Sequence, residues 1–310
     1  MTSRFIQAPG AVVMIRPHRF HPNPETASDN AFQRTDGQLS PKKNAKAAYN
    51  EVTAVAARLE EEGVKVHIFE DRGEKETPDS VFPNNWFSTH PGGHVAIYPM
   101  YNPSRRRERR YDIIEMLKAE YRVQDVIDYS CLEYDNLFLE GTGAMVLDHI
   151  ARVAYTARSN RADPIPLERF STHFNFEPMA FDTADEHGGS IYHTNVMMCI
   201  GTDFAMVGFG IISDPNRREE IRTRLAEMGR RVIALDNHQI NNFAGNAIEL
   251  STGKDRILAI SARAAASLTK QQKIDIEESA RIVELSVPTI ELAGGSIRCM
   301  LAGIHLARRY

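Results

Sequence analysis

The chain has 310 residues, 42% of them hydrophobic and 25% charged, and its 37 basic and 41 acidic side chains give a formal net charge of −4. That length suits one large single-core fold or two closely packed halves, and the composition is that of an ordinary globular chain rather than a disordered or coiled-coil one. The mild negative charge speaks against a chain whose main task is to cover phosphates or anionic lipid, and brings small-molecule chemistry forward.

Taken in order, residues 11–15 are a β-rich apolar run that stops at Arg16-Pro17, short of the roughly 7 to 15 residues of a secretory h-region. Residues 43–62 then place Ala45, Ala48, Tyr49, Val52, Val55, Ala56 and Leu59 at three- and four-residue steps before Gly63, which predicts an amphipathic helix. Further helices are expected over 105–121, 214–228 and 267–281, the second with Asp214 as N-cap and Pro215 as its first residue. Strands are expected over 64–69, 95–98, 145–147, 153–155, 191–199, 204–207, 247–250, 257–260 and 297–304. The longest apolar stretch, 204–212, has nine residues, about half of what a membrane-spanning helix needs. A cytoplasmic chain without a membrane partner is the expectation. Cys131, Cys199 and Cys299 form no close pair, which argues against a disulfide framework and against C-x-x-C metal or redox sites.

The elements repeat. Phe82-Pro-Asn-Asn-Trp, Phe138-Leu-Glu-Gly-Thr, Tyr192-His-Thr-Asn-Val and Phe243-Ala-Gly-Asn-Ala each set an aromatic and a polar or glycine cluster ahead of a strand, a turn, a second strand and mostly a helix. The second strands start roughly 57, 52 and 53 residues apart, Gly294-Gly295 follows at a similar interval, and five such units fill the chain. A repeated β-β-α unit cannot bury both faces alone, so the copies should pack around a common axis with equivalent loops converging at one end. An open doubly wound sheet is the alternative. No low-complexity linker divides residues 1–310, which are read as one domain.

Cys299, in Gly294-Gly-Ser-Ile-Arg-Cys299, is the best nucleophile by position, whereas Cys131 and Cys199 are more simply explained by packing. His193 and Asn195, two apart, share a face if that run is extended. Glu140 stands between an apolar residue and the bend Gly141-Thr-Gly143. Together, Phe82-Pro-Asn-Asn85, Leu139-Glu140-Gly141, Tyr192-His193-Thr-Asn195 and Gly294-Gly-Ser-Ile-Arg-Cys299 resemble, in order and spacing, the signature stretches of the guanidino-group-modifying enzymes. That superfamily includes arginine deiminases, dimethylarginine dimethylaminohydrolases, amidinotransferases and dihydrolases. The resemblance implies a five-bladed pseudo-symmetric α/β propeller, the pentein fold, of repeated ββαβ units. It is closest to the citrulline-utilisation hydrolases, through Asn84-Asn85, His193-Thr-Asn195 and the Arg16-Pro17 opening.

The resemblance implies Cys299 as nucleophile, His193 as general acid/base, with its imidazolium lowering the thiol pKa, and Glu140 as the carboxylate that orients the histidine and holds substrate. No metal or other cofactor is implied. Deiminases typically carry aspartates where this chain has Asn85 and Asn195. Losing two such contacts, each on the order of 4 kcal/mol at 4 Å and an effective dielectric of about 20 before desolvation, weakens selection for a cation. A neutral ureido group presents a carbonyl acceptor to which an asparagine can donate. The expected reaction is therefore hydrolysis of citrulline to ornithine, ammonia and carbon dioxide, with deiminase, dihydrolase, dimethylaminohydrolase or amidinotransferase chemistry as the alternative. Arg158, preferred over Arg161, is expected to anchor the α-carboxylate, and Phe82 to stack on the planar group, with an irregular bend bringing Asn85 into the site. The partner is then a small amino acid, and a homo-oligomer is compatible with it. The basic run Ser104-Arg-Arg-Arg-Glu-Arg-Arg110 suggests a nucleic-acid or ribosome-binding alternative, but Glu108 and the net charge oppose it. The glycine turn after Val207 lacks the third glycine of a dinucleotide fingerprint, and Pro91-Gly-Gly93 prevents His90 and His94 from forming a helical metal pair.

Overall fold

In the computed structural model, which describes residues 6–34, 40–185 and 188–309, the chain forms five three-stranded sheets. It opens with β1 (Ala11–Pro17), runs through the helix Pro41–Glu61 and returns as β2 (Lys65–Asp71), parallel to β1. Four sheets then follow one plan, in which a tight turn leads into an antiparallel hairpin and a helical crossover leads to a strand parallel to the middle one. They are β3 (Phe87–His90), β4 (His94–Ile97) and β5 (Asp125–Asp128); β6 (Met145–Asp148), β7 (Val153–Ala157) and β8 (Glu177–Phe181); β9 (Met198–Ile200), β10 (Phe204–Val207) and β11 (Arg231–Ala234); and β12 (Ile248–Ser251), β13 (Arg256–Ser261) and β14 (Arg281–Leu285). The last strand, β15 (Ala302–Gly303), pairs antiparallel with β1, so the segment just after Cys299 completes the first sheet.

Burial explains which strands are visible in the sequence. The middle strands β7 and β10 are wholly buried and read as continuous apolar runs, whereas the outer strands β5 and β11 are half exposed and carry polar residues. The expected five ββαβ units are therefore present, including the outer strands that apolar patterning alone does not reveal. Helix starts follow from their caps: Asp163 and Asp214 each accept from the backbone N–H two residues on, ahead of Pro164 and Pro215.

Other expectations are corrected. The helix over 105–121 is two pieces, Pro103–Arg106 and Tyr111–Glu120, and that over 267–281 shortens to Lys270–Glu277. The strands over 191–199 and 297–304 are each preceded by a helical turn, Thr194–Val196 and Ile297–Met300, which carry Asn195 and Cys299. An apolar run buried on all sides has no polar face to reveal its period, so strand and helical turn look alike in sequence. Among the described residues no helix is long and apolar enough to cross a membrane.

Candidate active site

The turn before the first strand of each sheet points to the axis of the ring. Pro83–Asn85, Gly141–Ala144, Thr194–Val196, the bend at 243–246 and Ile297–Met300 hold equivalent places, with Asn85, Gly143, Asn195, Asn246 and Cys299 just ahead of β3, β6, β9, β12 and β15. Glycine permits this convergence. A Cβ on Gly245 would lie 2.6 Å from the Met197 carbonyl carbon, and one on Gly143 would lie 2.0 Å from an Asn85 amide atom and 2.8 Å from His193 Nδ1.

The structure brings Cys299, His193, Glu140, Asn85, Asn195 and Phe82 together in this buried layer, with Cys299 only 2% exposed. His193 is extended and Asn195 lies in the adjoining helical turn, so they meet by a route other than a shared strand face. The Pro83–Asn85 turn supplies the irregular bend that Asn85 requires. The Phe82 ring packs against Gly295 beside the cysteine turn, 2.7 Å from where a Cβ would stand.

Glu140 is the electrostatic hub. Its Oε2 takes a 2.8 Å hydrogen bond from His193 Nε2 and lies 3.4 Å from Arg105 Nη1 and 3.7 Å from Arg161 Nη1, while Oε1 accepts from the Tyr101 N–H. Burial pushes this carboxyl up, but the charge of Arg161, the His193 hydrogen bond and the charge of Arg105 outweigh it and hold the pKa at about 2. Burial dominates at His193 and lowers its pKa to about 4 despite Glu140. The imidazole is therefore neutral near pH 7, with its proton on Nε2 and Nδ1 free as a base. This corrects the expectation that an imidazolium activates the thiol. The polar partners of the sulfur are instead Asn195 Nδ2 and Asn246 Nδ2, each 3.2 Å from Cys299 Sγ.

Arg158 is a second correction. It is exposed and paired with Asp182 at 3.0 Å, so it does not line the site, whereas Arg161 is buried and holds Asp29 with contacts of 2.5 and 3.0 Å. The end of a strand faces solvent on one side and the axis on the other, and spacing alone did not tell which arginine turns inward. Sequence reasoning also missed Asp79, Arg105, Glu108 and Asn246. Arg105 and Glu108 are buried and paired at 3.0 and 3.1 Å, and Asn85 Oδ1 accepts from Arg105 Nη2 at 2.9 Å and Nη1 at 3.1 Å. The opposite charge three residues after Arg105 was the available signal. The remaining arginines of that run tie neighbouring segments together: Arg106 donates to the Met100 and Tyr101 carbonyls, Arg107 to those of Lys75 and Glu76, Arg109 pairs with Glu133 and Arg110 with Asp112.

Five ββαβ sheets around an axis, with cysteine, histidine and glutamate on converging turns, define a member of the guanidino-group-modifying superfamily, which contains hydrolases of guanidino C–N bonds. Within it, the chain belongs to the N,N-dimethylarginine dimethylhydrolase family, whose eukaryotic branch matches residues 16–306. No curated protein matches the sequence. Solved structures share the fold at low identity. The N-terminal domain of ArgZ, an arginine dihydrolase from the ornithine-ammonia cycle in cyanobacteria, in a cysteine-to-serine mutant bound to substrate, superposes with a TM-score of 0.72 at 18% identity over 95% of this chain and 97% of that one. For apo ArgZ the TM-score is 0.71 at 18% identity over 96% of this chain, which spans only 40% of that longer protein. The enzyme of the family from Pseudomonas aeruginosa, a cysteine-to-serine mutant complexed with citrulline, gives 0.62 at 13% identity over 97% of this chain and 99% of that one.

Proposed function

We propose that this chain is a cysteine-dependent hydrolase that cleaves the terminal C–N bond of a ureido amino acid, converting citrulline to ornithine, ammonia and carbon dioxide. The carrying observation is the set of buried polar atoms, on the converging turns and beside them, without hydrogen-bond partners among the described residues: one donor, Asn84 Nδ2, and three acceptors, Asn195 Oδ1, Asn246 Oδ1 and Asp79 Oδ1. A ureido group brings one carbonyl acceptor and several N–H donors and can satisfy both kinds, whereas a guanidinium has only donors. Fully buried groups of this kind cost about 1 to 3 kcal/mol each when unpaired, so a ligand that completes them gains accordingly.

Cys299 attacks the ureido carbon and forms a tetrahedral adduct. His193, carrying the proton taken up on Nδ1 from the thiol, gives it to the departing nitrogen, and ammonia leaves a thiocarbamate on the sulfur. With His193 again neutral, Nδ1 takes a proton from water, whose oxygen attacks the same carbon and releases the cysteine and a carbamic acid. The acid breaks down to the amine and carbon dioxide. Glu140 keeps the proton of the resting histidine on Nε2, and Asn85 and Asn195 flank the reacting group.

A specific observation favours a second reading, hydrolysis of arginine by the same residues. Four carboxyls, Asp29, Asp79, Glu108 and Glu140, surround two guanidiniums, Arg105 and Arg161. Burial pushes Asp79 up and Glu108 up to about 8, as for acids short of a cation, and a substrate guanidinium would supply one. The relatives support the chemistry of either reading, one being an arginine dihydrolase and another having been captured with citrulline.

The test is ammonia release from L-citrulline and, separately, L-arginine, by the protein and by Cys299→Ser, with ornithine and citrulline quantified. Ornithine from citrulline, abolished in the variant, is the expected result. Activity on arginine with none on citrulline would transfer the assignment to the guanidino reaction, and unchanged turnover by Cys299→Ser would remove the nucleophile.

A further inference from the structure

The sulfur of Cys299 lies between two amides, and one of them, Asn246, belongs to a turn that carries none of Cys299, His193 and Glu140. Asn246 Nδ2 stands 3.2 Å from Sγ and 3.0 Å from the Asn195 carbonyl, and Asn195 Nδ2 approaches the same sulfur at 3.2 Å. The backbone N–H of Arg298 donates to the Asn246 carbonyl at 3.3 Å, which ties the nucleophile's turn to that of Asn246. Asn195 and Asn246 are both 0% exposed, so water does not compete for their N–H groups. No other side chain hydrogen-bonds to this sulfur among the described residues. His193 gives its proton to Glu140, and the Arg298 guanidinium is turned to the Leu301 carbonyl at 3.0 Å.

Hydrogen bonds to an ionised acceptor are roughly twice as strong as those between neutral groups, so two N–H donors aimed at one sulfur favour the thiolate over the thiol. Among the charged groups near the sulfur, the Arg298 guanidinium also acts on Cys299 through its charge, and the two amides add donors in direct contact with Sγ. We propose that Asn246 is a catalytic residue that, together with Asn195, aims the Cys299 sulfur along the axis and stabilises the negative charge that forms on it as its proton passes to His193 Nδ1, an anion hole built for sulfur. This rests on the reading of Cys299 as the nucleophile. It also separates the two amides by task, Asn195 being shared with the substrate and Asn246 directed at the sulfur through its N–H.

The test titrates thiolate absorbance near 240 nm in the full chain, in Asn246→Ala and in Asn246→Asp, with the Cys299→Ser signal subtracted to remove Cys131 and Cys199. Far-ultraviolet circular dichroism and a melting curve check folding, and the aspartate variant, matched in shape, decides if the alanine variant fails to fold. Loss of one hydrogen bond to a charged acceptor should lower the Cys299 thiolate population at neutral pH about tenfold in Asn246→Ala, and further in Asn246→Asp, where a carboxylate faces the sulfur. Alkylation by iodoacetamide should slow at neutral pH yet reach an equal or higher limiting rate in alkali, because a more basic thiolate is more nucleophilic. A merely structural role would not produce that crossing. Superimposable titrations in a protein that turns over substrate overturn the anion hole and leave the enzyme reading intact. Displaced titrations in a protein inactive on citrulline and arginine support the hole while removing the substrate assignment.

Discussion

Glu140 decides which ring nitrogen of its neighbour carries the proton. Its carboxylate accepts from His193 Nε2 at 2.8 Å, so the free nitrogen of the ring is Nδ1, which lies beside Gly143. The same glycine admits the Asn85 amide, whose oxygen is bound by both terminal nitrogens of Arg105. One missing methyl group therefore sets the positions of His193 Nδ1 and of the Asn85 amide. Gly143→Ala places a Cβ inside contact distance of both, and overpacking of this kind costs about 1 to 3 kcal/mol. The expected outcome is a folded protein with a slightly lower melting temperature and at least tenfold less turnover. Full activity in that variant, measured as ammonia release, would show that neither group needs its present position.

Residues 18–34, between β1 and the helix Pro41–Glu61, cross the face on which the five turns meet. Asn23 donates to Asp79 at 2.8 Å and to Ser104 at 3.1 Å, Asp29 holds Arg161, Asn30 donates to the Ala293 carbonyl at 3.1 Å, and the Phe32 ring lies 6.2 Å from Tyr192 and 5.8 Å from Phe243. Cys299 is 2% exposed and Glu140 fully buried, and a shift of this strap is the expected route by which a small molecule reaches the sulfur. Asp29→Ala unties its ion pair with buried Arg161 and should raise the rate at which iodoacetamide modifies Cys299 several-fold, read by mass spectrometry, while exposed Cys131 reacts as before. Equal rates at Cys299 would mean that the strap does not control access. Nothing in the sequence marks this segment, because its anchors are single polar residues paired with partners remote along the chain. The β-hairpins and helices between the turns are legible for the opposite reason, since periodicity and caps are local. The stretches that hold His193, Glu140, Asn85 and Asn195 emerge from the repeat, the choice of Asn85 within its stretch and the roles of Cys299, His193 and Glu140 come from the family resemblance, and Asn246 stands at the matching place in the fourth copy. The inward choice of Arg161 over Arg158 depends on tertiary packing and leaves no local trace.

At the scale of the whole ring, burial of histidines makes stability depend on pH. His90 and His149 are pushed well below the ordinary imidazole value by burial, and His193 and His305 to about 4, chiefly by burial as well. His149 stacks on His305 with ring centroids 4.0 Å apart, and His90 lies 6.0 Å from His149, so protonation of one would oppose protonation of the next. As pH falls below about 6.5 the unfolded chain takes up protons that the folded one refuses, and stability drops until the folded groups titrate in turn, near pH 4 for His193 and His305. For His193 alone a shift of that size corresponds to about 3 kcal/mol. Glu140 acts in the same direction but later, because its folded value is depressed to about 2, so its contribution is lost only below the unfolded carboxyl range. Glu108, raised to about 8, works the other way, since the folded state binds its proton first and gains stability as pH falls from 8. Burial raises Glu51, Asp79, Glu249 and Glu291 as well, and they act with Glu108; the expected outcome is that the deeply lowered histidines prevail, so that the melting temperature declines between pH 6.5 and 4.5 and unfolding at pH 5.5 takes up protons, measurable as a calorimetric enthalpy that varies with the buffer. A melting temperature that is flat over that interval, or proton release on unfolding, would mean that these imidazoles are charged or solvated within the ring.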